Sequence, residues 1–464
     1  MPAPEDRSWT IAPTLAWFGG ALVVALCIFD GGVQAIADRL TAKREDGPPA
    51  AGPAFAAPVV VAQRTDDDTP AVPLAPTTTD RRDRSKVGAL EDICLEGAPP
   101  MCKRWAMDGF YAAIGKSKQG KLDRAVRVSW YGDSVIATDA IPGRLRTRLQ
   151  TELGNGGPGF VYIVAPHRFC VHEGITRTTI GDWFAHSIST SANFDGLYGV
   201  GGSSADTHSG SATIRLTAGT ATHLELYYLG QPNGGTAVVT ADGTEIIRAS
   251  TASEQKEPGY AAGTTIGAKK FELAIRGKAR LFGMSIENTS GATVDNLGIV
   301  SVNVKNFGNN QPAHFAAELA HRNTDLVMVM IGANEAQWLK PGDRATKDYQ
   351  SRYEKVLAPL RKARPNGSCL VVSPTDQAEA VGTEYPSRPV MPVLVAAQRK
   401  AAHASGCAFY STYDWMGGKG SAARWYKKRL VGSDFQHLSR AGANKMADAI
   451  HDALSTGYQR YAAP

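Results

Sequence analysis

At 464 residues and 43% hydrophobic content, the chain exceeds one ordinary domain and has enough apolar side chain for at least one large core. Its 50 basic and 44 acidic residues leave a net charge of +6, spread along the sequence. No Lys/Arg block suited to phosphates is present, so nucleic acid is not an expected partner.

The run Ile11 to Phe29 carries no charge and, as a helix, just suffices to cross a bilayer. Residues 1–40 are therefore expected to form an N-terminal transmembrane helix that makes the membrane a partner. A cleaved signal segment is the competing reading, because Ala35-Ile36-Ala37 fits a cleavage site. Arg7 on one flank and Arg39, Lys43 and Arg44 on the other leave the orientation open. Residues 41–90, rich in Pro, Ala, Thr and charge without periodicity, read as a disordered linker.

Residues 91–167 open with a helical lead-in near Met101–Ile114. The apolar alternation from Val126 to Tyr131 predicts a strand that ends in Gly132-Asp133-Ser134, and a helix follows from Ile141 to Leu153. The run Gly154-Asn155-Gly156-Gly157-Pro158-Gly159 reads as a turn, since no Lys-Ser/Thr follows it as in a phosphate cradle. From 168 to 290 short alternating runs such as ATIRLTA, HLELYYLG and FELAIRG, separated by Gly, Asn and Asp turns, predict an antiparallel β-sandwich. Here Trp183, Phe184, Tyr198, Tyr227 and Tyr228 are either a sugar-stacking platform or core.

Residues 291–464 return to an α/β rhythm. Strands are predicted near Leu297–Val304, Leu326–Ile331, Cys369–Ser373 and Ala408–Ser411, with helices near Pro312–His321, Asp343–Ala363 and Val390–Ala404. That alternation predicts a parallel sheet with helices on both faces, into which the sandwich is inserted. The six cysteines lack zinc-site spacing. Cys94 and Cys102 are close enough to close a short loop, Cys369 and Cys407 fall in predicted strands, and Cys27 lies in the apolar run.

Reactive groups in open parallel sheets gather beyond the carboxyl ends of the strands. Three motifs fall at such places. Ser134 follows the first strand, where a serine is either a nucleophile or a helix cap. Asn334, in Gly332-Ala333-Asn334-Glu335, is an oxyanion donor or ordinary turn chemistry. In Asp434-Phe435-Gln436-His437 a carboxylate three residues before an imidazole can reach Nδ1 and leave Nε2 for a serine hydroxyl.

These blocks resemble the SGNH/GDSL hydrolase superfamily, over about Val126 to Leu454. Within it, WYGDSVIATDAI, IGANEA and GSDFQHLSRAG, together with the sandwich, resemble the peptidoglycan O-acetylesterase branch. The resemblance implies a flavodoxin-like three-layer α/β hydrolase domain in two parts. It makes Ser134 the nucleophile, with Asp434 and His437 completing a triad. The oxyanion hole is expected from Ser134, Asn334 and Gly298, or Ser301 if the register follows the branch pattern. No metal or cofactor is implied. The expected activity is removal of O-acetyl groups from a cell-envelope glycan by an inner-membrane-anchored enzyme whose catalytic body faces the periplasm or exterior. O-acetyltransfer to a polysaccharide by the same serine, or silent glycan binding, are the alternatives.

Overall fold

The computed structural model describes residues 83–463 apart from 100, 190–192 and 194. The expected anchor at 1–40 and most of the expected linker lie outside the described residues. Among those described, no helix is long and apolar enough to cross a membrane.

Six strands form the host sheet: β1 (Leu90–Glu91), β2 (Val126–Gly132), β3 (Ala292–Gly298), β4 (Leu326–Met330), β5 (Ser368–Val372) and β6 (Ala408–Tyr410). Their order is β1-β6-β5-β4-β2-β3. All neighbours run parallel except β1, which closes the β6 edge antiparallel. The sequences LVMVM of β4 and SCLVV of β5 are buried at every position, as a strand covered on both faces requires. On one face lie α1 (Asp108–Lys118), α3 (Ala140–Leu153) and α8 (Arg440–Ala462), whose Phe110, Leu145 and Ile450 pack with Val128 and Trp130 of β2. On the other lie α4 (Pro312–Arg322), α5 (Tyr349–Ala363) and α6 (Met391–Ala404), contributing Phe315, Tyr353 and Leu394 to a second core. Two short helices complete the elements needed below, α2 (Ser134–Ala137) and α7 (Ser421–Lys427).

Several expected boundaries move. The ordered domain begins before residue 91: Arg84 is fully buried among the rings of Trp105, Tyr111 and Tyr461 and pairs with Asp108, and Val87 and Leu90 are core. The lead-in helix starts only at Asp108, because residues 94–105 are held as a hairpin by the Cys94–Cys102 disulfide. Strand β3 occupies 292–298 rather than 297–304. Its Asp295 and Asn296 look like loop residues, yet both are buried and fully employed. Asp295 accepts from Arg322 at 2.8 Å and from the Phe160 N–H at 2.8 Å, while Asn296 donates to the carbonyls of Ala137 and Val171.

The inserted part is two antiparallel sheets. One runs Glu257–Ala268, Ala221–Gly230, Ala279–Glu287, Ser203–Thr207, Phe184–Ser187; the other Thr244–Ser250, Thr236–Ala241, Lys270–Arg276, Gly210–Leu216, Ile175–Gly181. Gly159–Val161 also pairs with Ala279–Glu287, so sandwich structure begins before 168. Between the sheets lies a core of its own, including Ile214, Leu224, Val239 and Phe271. Phe160, Tyr162, Tyr198, Tyr227 and Phe282, however, pack into the host core with Leu297 and Phe315. Tyr198 and Tyr227 are fully buried, which removes them from any sugar platform; of the five sandwich aromatics named above only Phe184 is largely exposed.

A buried ion network ties insertion to host. Arg322, at the end of α4, pairs with Asp295 of β3 and with Glu287 at the end of a sandwich strand, and Arg127 of β2 also grips Glu287. Burial alone pushes Glu287 up, but the two guanidiniums prevail and hold it down to about 2.

Candidate active site

The site stands at the carboxyl ends of β2, β3 and β4. Strand β2 delivers Gly132-Asp133-Ser134 to the first turn of α2, where the Asp133 carboxylate caps the helix by accepting the Val135 N–H at 3.0 Å. Burial pushes Asp133 up to about 6, against the N–H groups of Val135 and Ala333 that favour its charge. Asp133, rather than the serine, is the cap, so the hydroxyl of Ser134 is left free for other work.

That hydroxyl meets His437 from the far end of the chain. Ser134 Oγ lies 2.7 Å from His437 Nε2, and His437 Nδ1 lies 2.6 Å from Asp434 Oδ2. The other carboxylate oxygen accepts the backbone N–H of His437 at 3.0 Å and of Gln436 at 3.1 Å. An ionised Asp434 can only accept, so Nδ1 carries the proton and Nε2 accepts from the serine. The hydrogen bond to Asp434 raises His437 above its ordinary value, partly opposed by burial. Asp434 itself is pushed up by burial but brought below the usual carboxylate value by His437 and the two backbone donors. The side chains of His437 and Asp434 are 43% and 51% exposed, so the pair sits on an open surface rather than in a shaft.

The two expected second donors differ in their surroundings. The Gly298 N–H donates to Asn296 Oδ1 at 3.1 Å. Its lack of a side chain has another cause: a Cβ there would fall 2.3 Å from the Ala137 nitrogen, so glycine lets β3 close against α2. The alternative, Ser301, sits in a turn closed by the Val302 N–H on Ile299 O. It has φ 65°, and its N–H donates to no acceptor among the described residues. Asn334 donates from Nδ2 to Val302 O at 2.8 Å, which spends one amide hydrogen on the Ser301 turn and leaves one.

Two positioning residues lie inside the quoted motifs, which alone assign them no role. Glu335 is buried, and its Oε1 accepts the Val304 N–H at 2.8 Å, so Asn334 and Glu335 together hold the chain just beyond Ser301. Burial pushes Glu335 up to about 7. Arg440, one turn beyond His437, donates to Glu173 Oε2 at 3.0 Å, and the Glu173 N–H donates to Asp139 at 2.6 Å, linking the starts of α8 and α3. No group of three or more His, Cys, Asp or Glu positioned to hold a metal occurs among the described residues.

Residues 267–445 match the model of the GDSL-like lipase/acylhydrolase family. The chain therefore carries a GDSL-like acylhydrolase domain, that of a carboxylic ester hydrolase. The match includes Asn334, Asp434 and His437 but begins after Ser134, because the sandwich separates the first block from the rest. A peptidoglycan O-acetylesterase structure is similar over 76% of this chain and 96% of its own, at 22% identity and TM-score 0.66, which shows a shared fold. An acetylxylan esterase from Geobacillus stearothermophilus matches at 20% identity and TM-score 0.26, over 35% of this chain and 73% of its own. A salicylyl-acyltransferase from a tetracycline biosynthetic pathway matches at 11% identity and TM-score 0.28, over 61% and 95%. A search of curated proteins by sequence finds no match.

Proposed function

We propose that this hydrolase removes O-acetyl groups from a cell-envelope glycan, peptidoglycan first among them, with Ser134 as nucleophile, His437 as general base and acid, and Asp434 holding the imidazole. The observation that carries the reading is the unbroken relay from Ser134 Oγ through His437 to Asp434 at 2.7 and 2.6 Å. As the serine oxygen attacks the ester carbonyl, its proton passes to Nε2 and the imidazolium is stabilised by Asp434. The tetrahedral oxyanion faces the N–H groups of Ser134 and Ser301 and the remaining amide hydrogen of Asn334. Collapse expels the sugar alkoxide, which takes the proton from His437 and leaves an acetyl-serine. Water, deprotonated by His437, then releases acetate and restores the serine.

Three further features support a glycan outside the cytoplasm. The half-exposed triad suits a polymer better than a small buried ligand. The disulfides Cys94–Cys102 and Cys369–Cys407 belong to an oxidising compartment, which fits a location on the periplasmic or outer side of the envelope, with the charge-free run at Ile11–Phe29 as the anchor. The overall fold is that of a peptidoglycan O-acetylesterase.

The test is acetate release from purified O-acetylated peptidoglycan beside acetylated xylan, for the native enzyme and Ser134→Ala. Ser134-dependent acetate from peptidoglycan supports the reading. Turnover of p-nitrophenyl acetate without release from either glycan would retain the esterase and discard the substrate. Acetate free in solution, rather than acetyl on an added sugar acceptor, separates hydrolysis from transfer.

A further inference from the structure

Of the two residues between Asp434 and His437, Phe435 is unusual in its surroundings. Phe435 has φ 55° and is itself buried, and two tyrosines from distant segments close on its ring. Tyr385 lies 4.7 Å and Tyr426 4.8 Å from it, centroid to centroid. Both tyrosines remain about two-fifths exposed, and their hydroxyls make no hydrogen bond among the described residues. The two half-exposed rings thus present an aromatic surface on a buried one.

The supports of the two rings are fixed. Tyr385 stands on a hairpin bridged at Ala378–Ser387 and Val381–Glu384, and Tyr426 stands on α7. Buried Asp376 binds both: its Oδ2 accepts from Ser387 Oγ at 2.6 Å and from the Ala422 N–H at 3.0 Å, while Ser387 Oγ also accepts the Gly420 N–H. The ledge is therefore preformed. Lys427 and Lys428 directly follow Tyr426, exposed and without an ion pair among the described residues. On the other side of the Asp434–His437 turn, Gln337 hydrogen-bonds Gln436, and the next residue, Trp338, is 54% exposed.

We infer that Tyr385 and Tyr426, seated on the buried Phe435 ring, together with Trp338 and flanked by Lys427 and Lys428, form a subsite that stacks a pyranose ring of a carboxylate-bearing O-acetylated glycan and presents its acetyl ester to Ser134. The inference rests on the glycan esterase reading above. Phe435 stands two residues before His437, so their Cα atoms are at most about 7.6 Å apart and the ledge adjoins the relay. Aromatic faces take the apolar C–H face of the sugar, the tyrosine hydroxyls its hydroxyls, and the lysines its carboxylates.

The measurement is kcat/KM on O-acetylated peptidoglycan divided by kcat/KM on p-nitrophenyl acetate. Tyr385→Ala with Tyr426→Ala is expected to lower that ratio about tenfold, through KM, and Trp338→Ala about threefold. Tyr385→Phe with Tyr426→Phe keeps the stacking faces and most of the ratio. Lys427→Gln with Lys428→Gln lowers the ratio for peptidoglycan but not for neutral acetylated xylan. If the native enzyme releases acetate from peptidoglycan and the double alanine variant keeps the native ratio, the ledge is refuted while the esterase reading stands. If the native enzyme releases none, both fall.

Discussion

In the proposed triad His437 has to be neutral to accept the Ser134 proton, yet its hydrogen bond to Asp434 favours the charged form and raises its pKa above the ordinary 6.5. Activity therefore disappears as pH falls through that raised value, not through that of a free imidazole. In a pH profile of kcat/KM on p-nitrophenyl acetate, the acid limb of the native enzyme is expected above 6.5, and Asp434→Asn should shift it downward while reducing kcat by orders of magnitude. An unmoved limb would remove His437 as the titrating base. Glu335 gives a second pH signature, in stability. Its folded value, about 7, exceeds its unfolded value of about 4.5, so both states hold the proton at low pH. Between those values only the unfolded chain ionises, and stability falls by about 1.4 kcal/mol per pH unit from this group. Glu335→Gln is expected to flatten that part of the curve, read from urea midpoints between pH 4.5 and 7. At this scale the sequence singled out the serine and the asparagine, each in a short motif at a strand end, and the Asp-His pair, which the structure places not at a strand end but in the loop between α7 and α8. The second oxyanion donor was not legible: Gly298 looks like a donor by type, and only the contacts of Asn296 and Ala137 show that its N–H is taken and its smallness is steric.

Among the elements, the join between host and insertion rests on Arg322. With its guanidinium removed, Asp295 and Glu287 keep their charges in a buried place without a full complement. Arg322→Met is expected to cost about 3–5 kcal/mol, seen as a fall in the urea midpoint, whereas a loss under about 1 kcal/mol would mean that Arg127 alone satisfies Glu287. The rhythm of helices and strands was readable, since β4 and β5 are continuous apolar runs and the sandwich strands alternate. Strand β3 was misplaced for a physical reason. Hydropathy counts Asp295 and Asn296 as exposed, while the fold uses them as internal cross-links between β3, α4 and the turn after α2. The sandwich aromatics could be read as platform or core. Tyr198 and Tyr227 are core, while Trp338, Tyr385 and Tyr426 in the host are exposed rings that carry no periodic signal.

In the molecule as a whole, the sandwich is not an appendage. Phe160, Tyr162, Tyr227 and Phe282 complete the same core as Leu297, Phe315 and Leu394. Scanning calorimetry of the oxidised protein is therefore expected to show one cooperative transition for host and insertion together, and two resolved peaks would contradict the shared core. Reduction should lower that transition, because Cys369–Cys407 closes a loop with a sequence separation of 38 between neighbouring strands β5 and β6. The loss expected is about 2–4 kcal/mol. The insertion also sets a clock. Ser134 and His437 are separated by 303 positions, with the whole sandwich between them. At about 5–20 residues per second of synthesis, the nucleophile waits roughly 15–60 s for its base to be made. On the proposed triad, a nascent chain carries an inert serine until the last helix has docked.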